Sequence, residues 1–332
     1  MASHLTLTEV ETIARDRLLA AGATPAVAAS VARSTRLAER DGLRSHGLLY
    51  VPIYAEHLEC GKVMANAVPE VVMPRPAAVC VDASNGFAHP AIDAGWSAFV
   101  DATGTCGIAA MGIRRSYNCG ILGHHAERLA EDGLVGLCFT HAPASIAPTG
   151  GRRPVIGTNP FALAVPDGQG GARLVIDQSA SAIAKSEILL RSREGRQIEP
   201  GWALDAEGEP TTDADAALAG SMVPAGGQKG FGTGLMVEIF AAALTGANLS
   251  VEASPFSGKK GGPPGTGQFF IGVDPSTFGG ATFGGAIDRL VEAIEGQEGA
   301  RLPGQRRKDN RARIEAEGVE VDDALMARIT GV

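Results

Sequence analysis

Hydrophobic residues in the first sixty positions recur at helical spacing and predict helices. Thr8 and Glu11 have the spacing of a capping box at the start of the first helix. Thr24 and Pro25 supply a cap and an N1 proline for a second helix, which is expected to end near residue 42. Ser45 then stands where an N-cap would open the next apolar segment. The N-terminal part of the chain is therefore expected to be helical.

Beyond about residue 76, short apolar runs alternate with amphipathic stretches, which predicts a sheet covered by helices. Strands are predicted at 77–81, 107–113, 134–139, 161–165, 174–176 and 268–273, and helices at 91–102, 122–132, 235–244, 286–296 and 309–317. The segment 194–224 is rich in Gly, Pro, Asp and Glu, so we expect it to be a surface excursion made of turns.

The composition indicates an ordinary folded protein. The chain has 332 residues, of which 45% are hydrophobic and 20% charged, enough to bury the cores of about two domains. Its net charge of -8 argues against a nucleic-acid partner or an anionic membrane surface, because both need clustered positive charge. Without a long apolar run or a signal-like N-terminus, we expect a cytoplasmic protein with no membrane segment.

The five cysteines are scattered and contain no Cys-x-x-Cys pair. Such spacing predicts neither a disulfide framework nor a zinc site, so we expect reduced thiols and no metal. His57 and Cys60 could form half of a metal site, but no second pair of ligands stands nearby.

The glycine-rich segments exclude two familiar nucleotide-binding motifs. Gly230, Gly232 and Gly234 open a predicted helix, but no strand precedes them, as a Rossmann fingerprint requires. The segment 226–230 is not a Walker loop, because Lys229 is followed by glycine instead of Ser or Thr. A Rossmann dehydrogenase and a P-loop NTPase are both disfavoured.

The turn Ser45-His46-Gly47 is a candidate catalytic motif. A histidine at a helix start can donate a proton near neutral pH, since a helix N-terminus lowers its pKa and a nearby carboxylate raises it. The competing interpretation is an ordinary capping turn with a surface histidine.

Two polar loops could hold an anion. The loop 157–160 (Gly-Thr-Asn-Pro), together with Arg152 and Arg153, offers a hydroxyl, an amide and two guanidinium groups that could hold a carboxylate or phosphate. The turn Arg-Leu-Pro-Gly at 301–304 is followed by two more arginines. A hairpin with solvated arginines and a charged surface turn are the alternative interpretations.

Together these motifs resemble the type 2 malate/L-lactate dehydrogenase family, which is unrelated to the Rossmann malate and lactate dehydrogenases and includes reductases of cyclic imino acids. The resemblance covers nearly the whole chain. It is carried, in chain order, by the segments 45–47, 85–88 with Pro90, 157–160, 177–181, 226–230, 266–268 and 301–304.

The resemblance implies a fold and an assembly. The fold class is α/β (α+β): a non-Rossmann, mostly antiparallel mixed sheet binds the nicotinamide nucleotide, and a helical second domain is built from both chain ends. The implied boundaries are 76–224 for the cofactor-binding sheet domain and 1–75 with 225–332 for the substrate and dimerisation domain. The protein is expected to be a homodimer with active sites at the interface.

The resemblance also implies residue roles. His46 falls on the family's proton donor, with Ser45 and Glu187 on the residues that orient it. Thr158 falls on the substrate-contacting threonine, and we add Tyr50 and Arg153 as candidate substrate contacts. Cofactor contacts are expected at Asn118, Cys119, Gly120, Ile121, Leu122, Asp177, Gln178, Ser179, Gln228, Lys229, Arg301, Gly304, Arg306 and Arg307.

The chain departs from the family pattern at two places. Many relatives carry arginine four residues after the Ser-His-Gly histidine to clamp the substrate carboxylate, whereas this chain has Tyr50. Where relatives often have Ser-Asn-His or Ser-His-His before the cofactor loop, this chain has Ser-Tyr-Asn at 116–118. Arg152, Arg153 or the partner subunit could replace the missing arginine.

Three functions remain open. The first is reduction of a small 2-imino acid of the pyrroline-2-carboxylate or piperideine-2-carboxylate type, because the segments 85–90, 181–184, 193–195 and 301–307 are most similar to those reductases. The second is oxidation of malate, L-lactate or another 2-hydroxy acid. The third, suggested only by Tyr50, is a non-catalytic dimeric binding protein. NADP(H) is favoured and NAD(H) possible, since Arg306 and Arg307 match a 2'-phosphate.

Overall fold

The structure is a computed structural model that describes residues 2–331. The strands are β1 Ala2–Leu5, β2 Glu70–Arg75, β3 Ala78–Asp82, β4 Ile108–Ser116, β5 Val135–Thr140, β6 Phe161–Pro166, β7 Ala172–Gln178, β8 Ala203–Leu204, β9 Pro210–Thr211, β10 Ser221–Met222, β11 Thr266–Val273 and β12 Val319–Asp322. The α-helices are α1 Leu7–Ala20, α2 Pro25–Arg40, α3 Val51–Glu59, α4 Ala88–Cys106, α5 Leu122–Glu131, α6 Lys185–Arg193, α7 Ala214–Ala219, α8 Gln228–Glu238, α9 Pro275–Phe278, α10 Phe283–Glu295, α11 Gln305–Glu317 and α12 Asp323–Thr330. Short 3₁₀ turns stand at Arg44–His46, Leu48–Tyr50 and Gly280–Thr282, and a π-helical turn at Ile239–Ala243 continues α8.

A seven-stranded sheet forms the centre of the molecule, in the order β2-β3-β4-β11-β5-β6-β7. Only β3 and β4 are parallel, and the other neighbours are antiparallel. The predicted mostly antiparallel, non-Rossmann mixed sheet is confirmed. The sheet takes β2 and β11 from outside the predicted range 76–224, and β11 lies in its middle because it pairs with both β4 and β5.

Helices α4 and α5 cover the sheet and bury its main core. Ile92 and Phe99 of α4 pack against Met111 and Phe270 of the sheet, and all four side chains are buried. Gly95 allows this close approach, because a Cβ at that position would stand 2.6 Å from the sulfur of Met111. Burial of this apolar face is what holds α4 against β3 and β4.

The two ends of the chain meet in a second layer. β1 pairs with β12, and the helices beside them bury a separate cluster that includes Val10, Leu48 and Leu325. Helix α2 begins at the predicted Thr24 cap, whose hydroxyl accepts from the Val27 amide. In residues 2–331, no helix is long and apolar enough to cross a membrane.

Two local predictions were wrong. The first helix was predicted to be capped by Thr8 and Glu11. It is capped instead by Thr6 and Glu9, which form both hydrogen bonds of a capping box. The segment 194–224 is not a plain excursion, since β8, β9 and β10 form a small sheet that buries Ile198 and Met222. Its strands have two residues each, which is too short for an alternation of apolar and polar residues to be recognised in the sequence.

Candidate active site

His46 lies in the 3₁₀ turn between α2 and α3, and Ser45 Oγ is 3.1 Å from its Nδ1. Ser45 was predicted to be an N-cap, and this prediction was wrong. The buried Glu39 carboxylate takes that role by accepting from the Leu48 amide at 2.7 Å. Gly47 is required here, because a side chain would collide with Glu39. The Glu39 contact therefore fixes the backbone of the turn that carries His46, and Ser45 is left to orient the imidazole ring.

The imidazole of His46 is accessible to solvent, yet enough protein surrounds it to affect its charge. Desolvation lowers its pKa, and His124 and Arg307 lower it further. The Asp177 carboxylate opposes them by raising it. Asp177 is thus the carboxylate whose charge acts on His46 and favours its cationic form.

Asp177 also joins three of the predicted cofactor segments. It is the penultimate residue of β7, accepts from the Gly123 amide at 3.0 Å, and pairs with Arg307 at 2.6 Å. Gly123 must be small because a Cβ would stand 2.6 Å from Asp177 Oδ2. Gly304, at φ +84°, opens α11 next to the backbone of Val175. The start of α5, the end of β7 and the start of α11 are therefore neighbours.

A second cluster of charged residues stabilises the packing of α2, α5 and α11 around these segments. Asp41, fully buried at the end of α2, accepts from His124 Nε2 at 3.0 Å and from Arg311 at 2.7 Å. Arg311 also pairs with Glu127 at 2.6 Å. These contacts hold the pKa of Asp41 well below its usual range and raise that of Arg311, despite the opposing effect of burial on both. They tie α2, α5 and α11 together.

The loop 118–121 precedes α5, and hydrogen bonds hold both of its ends. Asn118 Oδ1 accepts from the Tyr54 hydroxyl at 3.0 Å and from the Gly120 amide at 3.2 Å. His125 donates through Nε2 to the Cys119 carbonyl at 2.9 Å, since a carbonyl can only accept. Burial raises the pKa of the Cys119 thiol to about 12, so this cysteine is not a nucleophile.

A cavity of about 330 Å³ lies between α2, α4 and α5, behind this loop. A Cβ on Gly120 would stand 2.8 Å from Ser34 Oγ and 3.0 Å from His89 Nε2, both of which line the cavity. His124 lines it as well, whereas His46 does not. We therefore place the candidate active site on the His46 side of the loop.

Tyr50 and Tyr117, the two departures from the family pattern, belong to one aromatic cluster. The Tyr50 ring lies nearly parallel to His46, with 6.4 Å between centroids, and meets Tyr54 edge-on at 4.8 Å. Tyr54 in turn meets Tyr117 at 6.0 Å. Burial raises the pKa of Tyr50 to about 12 and that of Tyr117 well above its usual value. Both phenols are neutral at physiological pH.

The loop of Thr158 lies beside the segment that follows β7, since the Thr158 carbonyl accepts from the Ala180 amide at 2.8 Å. Its neighbour Asn159 is buried, at φ +40°, and donates to Glu238 at 2.8 Å. Ser179 Oγ is 2.9 Å from Ser181 Oγ. The Asn159–Glu238 pair was not predicted, because its members are 79 positions apart and no short motif joins them.

Other predicted site residues form no hydrogen bond or ion pair with His46 within residues 2–331. Glu187 is on α6, where it pairs with Arg191 at 3.1 Å. Several others are exposed, and their side chains make no hydrogen bond within the described chain: Arg153, Gln178, Gln228, Lys229, Arg301 and Arg306. The charged network of Asp41, His124 and Glu127 was also missed, although His124 and Glu127 show the i, i+3 spacing of one helix face.

Comparisons with known proteins match nearly the whole chain to one family. The sequence pattern of the family described as malate/L-lactate dehydrogenase matches residues 5–330. A (2R)-3-sulfolactate dehydrogenase (NADP(+)) of Chromohalobacter salexigens is 42% identical over 98% of this chain and 97% of its own. A Delta(1)-pyrroline-2-carboxylate reductase of Ancylobacter novellus is 39% identical over 98% and 96%. The crystal structure of delta1-piperideine-2-carboxylate reductase from Pseudomonas syringae pv. tomato superposes with a TM-score of 0.93, at 36% identity and 99% coverage of both chains.

Proposed function

Because the chain belongs to the malate/L-lactate dehydrogenase family and is an oxidoreductase, we propose that it reduces a cyclic 2-imino acid of the pyrroline-2-carboxylate or piperideine-2-carboxylate type with NAD(P)H. The observation that carries this proposal is the Ser45–His46 pair, in which Ser45 Oγ lies 3.1 Å from Nδ1 of an imidazole whose pKa is lowered by desolvation and raised by the charge of Asp177. Relatives with that named activity align over almost their full lengths.

The residues present fit a nicotinamide nucleotide. Helix α8 begins without a side-chain cap, and Gly226 and Gly227 before it have positive φ with open space where a Cβ would stand. Free amides at a helix start suit a pyrophosphate. Gln228 and Lys229 would flank it, and the segments around Leu122, Asp177 and Arg307 would hold the rest of the cofactor, which supplies a hydride when bound.

His46 performs the proton chemistry in the proposed mechanism. During reduction, negative charge builds on the atom attached to C2 of the substrate, and a positioned acid must supply or hold a proton there. Ser45 orients the ring through Nδ1, which leaves Nε2 for the substrate. Asp177 stabilises the imidazolium, and the Thr158 hydroxyl would bind the substrate carboxylate. We retain Glu187 as a second proposed orienting residue and Arg153 as a substrate contact, on the resemblance alone.

A 2-hydroxy acid dehydrogenase is the second candidate, favoured by the sulfolactate-oxidising relative. It would use the same histidine in the reverse direction. A non-catalytic binding protein is disfavoured by the intact Ser45–His46 contact. Regarding the cofactor, we propose that NADP(H) is used at least as well as NAD(H), with the exposed Arg306 as the 2'-phosphate contact, because Arg307 is already paired with Asp177.

We further propose a homodimer in the cytoplasm. Helix α8 and the π-helical turn after it expose a row of apolar side chains, with Ile239 53% and Leu244 60% accessible in the single chain. Apolar rows of this kind mark protein interfaces. The five cysteines are free thiols, as expected in a reducing compartment.

The proposed reaction can be tested by following NADPH and NADH oxidation with the two cyclic imines and a panel of 2-oxo acids. We expect the imines to give the highest kcat/KM. His46→Ala should remove at least about a hundredfold in kcat while cofactor affinity stays within a few-fold, because the imidazole acts on the proton and not on the nucleotide. His4→Ala, which alters an exposed histidine on β1, is the matched control. Near-normal turnover of His46→Ala would exclude it as the acid.

A further inference from the structure

The loop that carries Thr158 is held on both sides by one buried acid, Glu238. This residue ends α8, and only 6% of its surface is exposed. Its Oε2 accepts from the Asn159 amino group at 2.8 Å, and its Oε1 accepts from the Ser250 amide at 2.6 Å. The Ser250 hydroxyl lies 2.6 Å from Oε2 and accepts from the Gly157 amide at 3.1 Å. Glu238 therefore reaches both neighbours of Thr158, one directly and the other through Ser250.

The backbone of this loop adopts a conformation that needs such support. Asn159 has a φ of +40°, in the left-handed region where residues with a side chain are uncommon. Its side chain is fully used, because the amino group also donates to the Gly234 carbonyl at 3.0 Å and Oδ1 accepts from the Ala142 amide at 3.3 Å. A Cβ on Gly157 would collide with the Ala142 carbonyl oxygen. The loop thus has one tightly specified shape.

The loop in turn fixes its position relative to the segment 177–181, where cofactor contacts are expected. The Thr158 carbonyl accepts from the Ala180 amide at 2.8 Å. The Thr158 hydroxyl forms no hydrogen bond within residues 2–331, so it is free to meet a ligand. A small movement of the loop would therefore displace the hydroxyl from a bound substrate.

Glu238 is suited to this task because its partners on both oxygens are donors. The Asn159 amino group and the Ser250 backbone amide can only donate. An acid has an oxygen for each of them, whereas an amide of the same shape has a single oxygen. Within residues 2–331 no cation forms an ion pair with Glu238, and burial of an acid without a cation is costly. Such a departure from good packing is expected at functional sites.

We propose that Glu238 is a positioning residue: with Ser250 and Asn159 it fixes the backbone on both sides of Thr158 and thereby directs the Thr158 hydroxyl to the substrate carboxylate. This inference rests on the proposed function, because that function makes Thr158 the substrate contact. Glu238 itself touches neither substrate nor cofactor.

The first test measures by calorimetry the binding of pyrrole-2-carboxylate, a planar acid, to the NADP⁺-saturated protein. Glu238→Gln keeps the shape but places an amino group against one of the two donors, so Kd should rise about tenfold. Affinity for NADP⁺ should stay within about twofold, since Gln228 is at the other end of α8, roughly 15 Å away. Glu252→Gln is the matched control and should leave both affinities unchanged, because Glu252 is exposed and its amide oxygen can still accept from Leu249.

A double-mutant cycle separates positioning from a general loss of structure. Thr158→Ala removes the hydroxyl and should itself raise Kd about tenfold. If Glu238 acts through that hydroxyl, Glu238→Gln adds less than about twofold in the Thr158→Ala protein. A loss of the same size in both backgrounds overturns the inference, as does an unchanged Kd in folded Glu238→Gln.

An exchange of hydrogen-bonding groups tests the contact between Glu238 and Asn159. Asn159→Asp alone places oxygen against oxygen and should weaken binding at least tenfold. Combined with Glu238→Gln, the new amino group can donate to the new carboxylate, and the double variant should bind at least about threefold more tightly than Asn159→Asp. No such gain contradicts the proposed contact. Thermal melting verifies that each variant is folded, and Ser250→Ala, which breaks the branch to Gly157, replaces Glu238→Gln if that protein does not fold.

Hydrogen exchange gives a measurement that needs no substrate. The Ala180 amide, bonded to the Thr158 carbonyl, should exchange about tenfold faster in Glu238→Gln than in wild type or Glu252→Gln. An unaltered rate shows that Glu238 does not hold the loop and overturns the inference. Failure of the proposed function is distinguishable: wild-type protein then reduces no cyclic imine and does not bind pyrrole-2-carboxylate, while the exchange rate still decides whether Glu238 fixes the loop.

Discussion

Arg311 provides the sharpest test of how the site is supported. Its guanidinium lies 2.7 Å from Asp41 and 2.6 Å from Glu127, and these carboxylate side chains are 0% and 9% exposed. Arg311→Met fills a similar volume but leaves both buried charges without this partner. Removing one member of a buried pair costs about 3–5 kcal/mol. Since Arg311 is itself 21% exposed and His124 still donates to Asp41, we expect a loss of roughly 3 kcal/mol in the free energy of unfolding at pH 7.

The matched control is Arg173→Met, which removes an ion pair with Asp288 on the surface. The side chain of Arg173 is 33% exposed and that of Asp288 is 60% exposed. That change should cost about 0–1 kcal/mol. Urea unfolding of the three proteins gives both values. A loss in Arg311→Met no larger than that of the control contradicts the reasoning.

The ion pair between Asp41 and Arg311 also predicts that the free energy of unfolding depends on pH. The pKa of Asp41 is lowered in the folded protein, so its ionised form adds stability above the unfolded pKa of about 4 and loses it as pH falls through the folded value. Because Arg311→Met already lacks much of this contribution, the difference in stability from wild type should be largest at neutral pH. It should narrow below about pH 4.

Three further predictions concern the site itself. Asp177→Asn should move the upper pH limit of imine reduction to lower pH, because removing its charge lowers the pKa of His46; Glu187→Gln, measured beside it, should do the same only if Glu187 also acts on His46. Arg306→Ala should shift the ratio of kcat/KM for NADPH over NADH toward NADH, whereas an unaltered ratio would show that the 2'-phosphate is bound elsewhere. Ile239→Glu should convert the proposed dimer to monomers in sedimentation velocity, and a wild-type protein that is already monomeric and fully active refutes the dimer.

Local patterns predicted most of the elements because their signals are short-range. Thr24 and Pro25 mark the start of α2, and the apolar run at 161–165 lies within β6. The capping box was misplaced by two residues, since Thr6 and Thr8 both stand three positions before a glutamate and only the structure distinguishes them. The two-residue strands between 203 and 222 carry no periodicity and could not have been found.

Taken alone, the sequence determined the family, the mostly antiparallel sheet and the segments around His46, because these depend on residue order and on motifs of a few positions. Only the tertiary structure decided which groups act on one another. It brought Asp177 of β7 within range for its charge to act on His46, joined Asp41 to Arg311 across 270 positions, and gathered Tyr50, Tyr54 and Tyr117 into one aromatic cluster. Electrostatic and hydrogen-bond energies fall steeply with distance, so they depend on how helices and strands pack in space and not on their spacing along the chain.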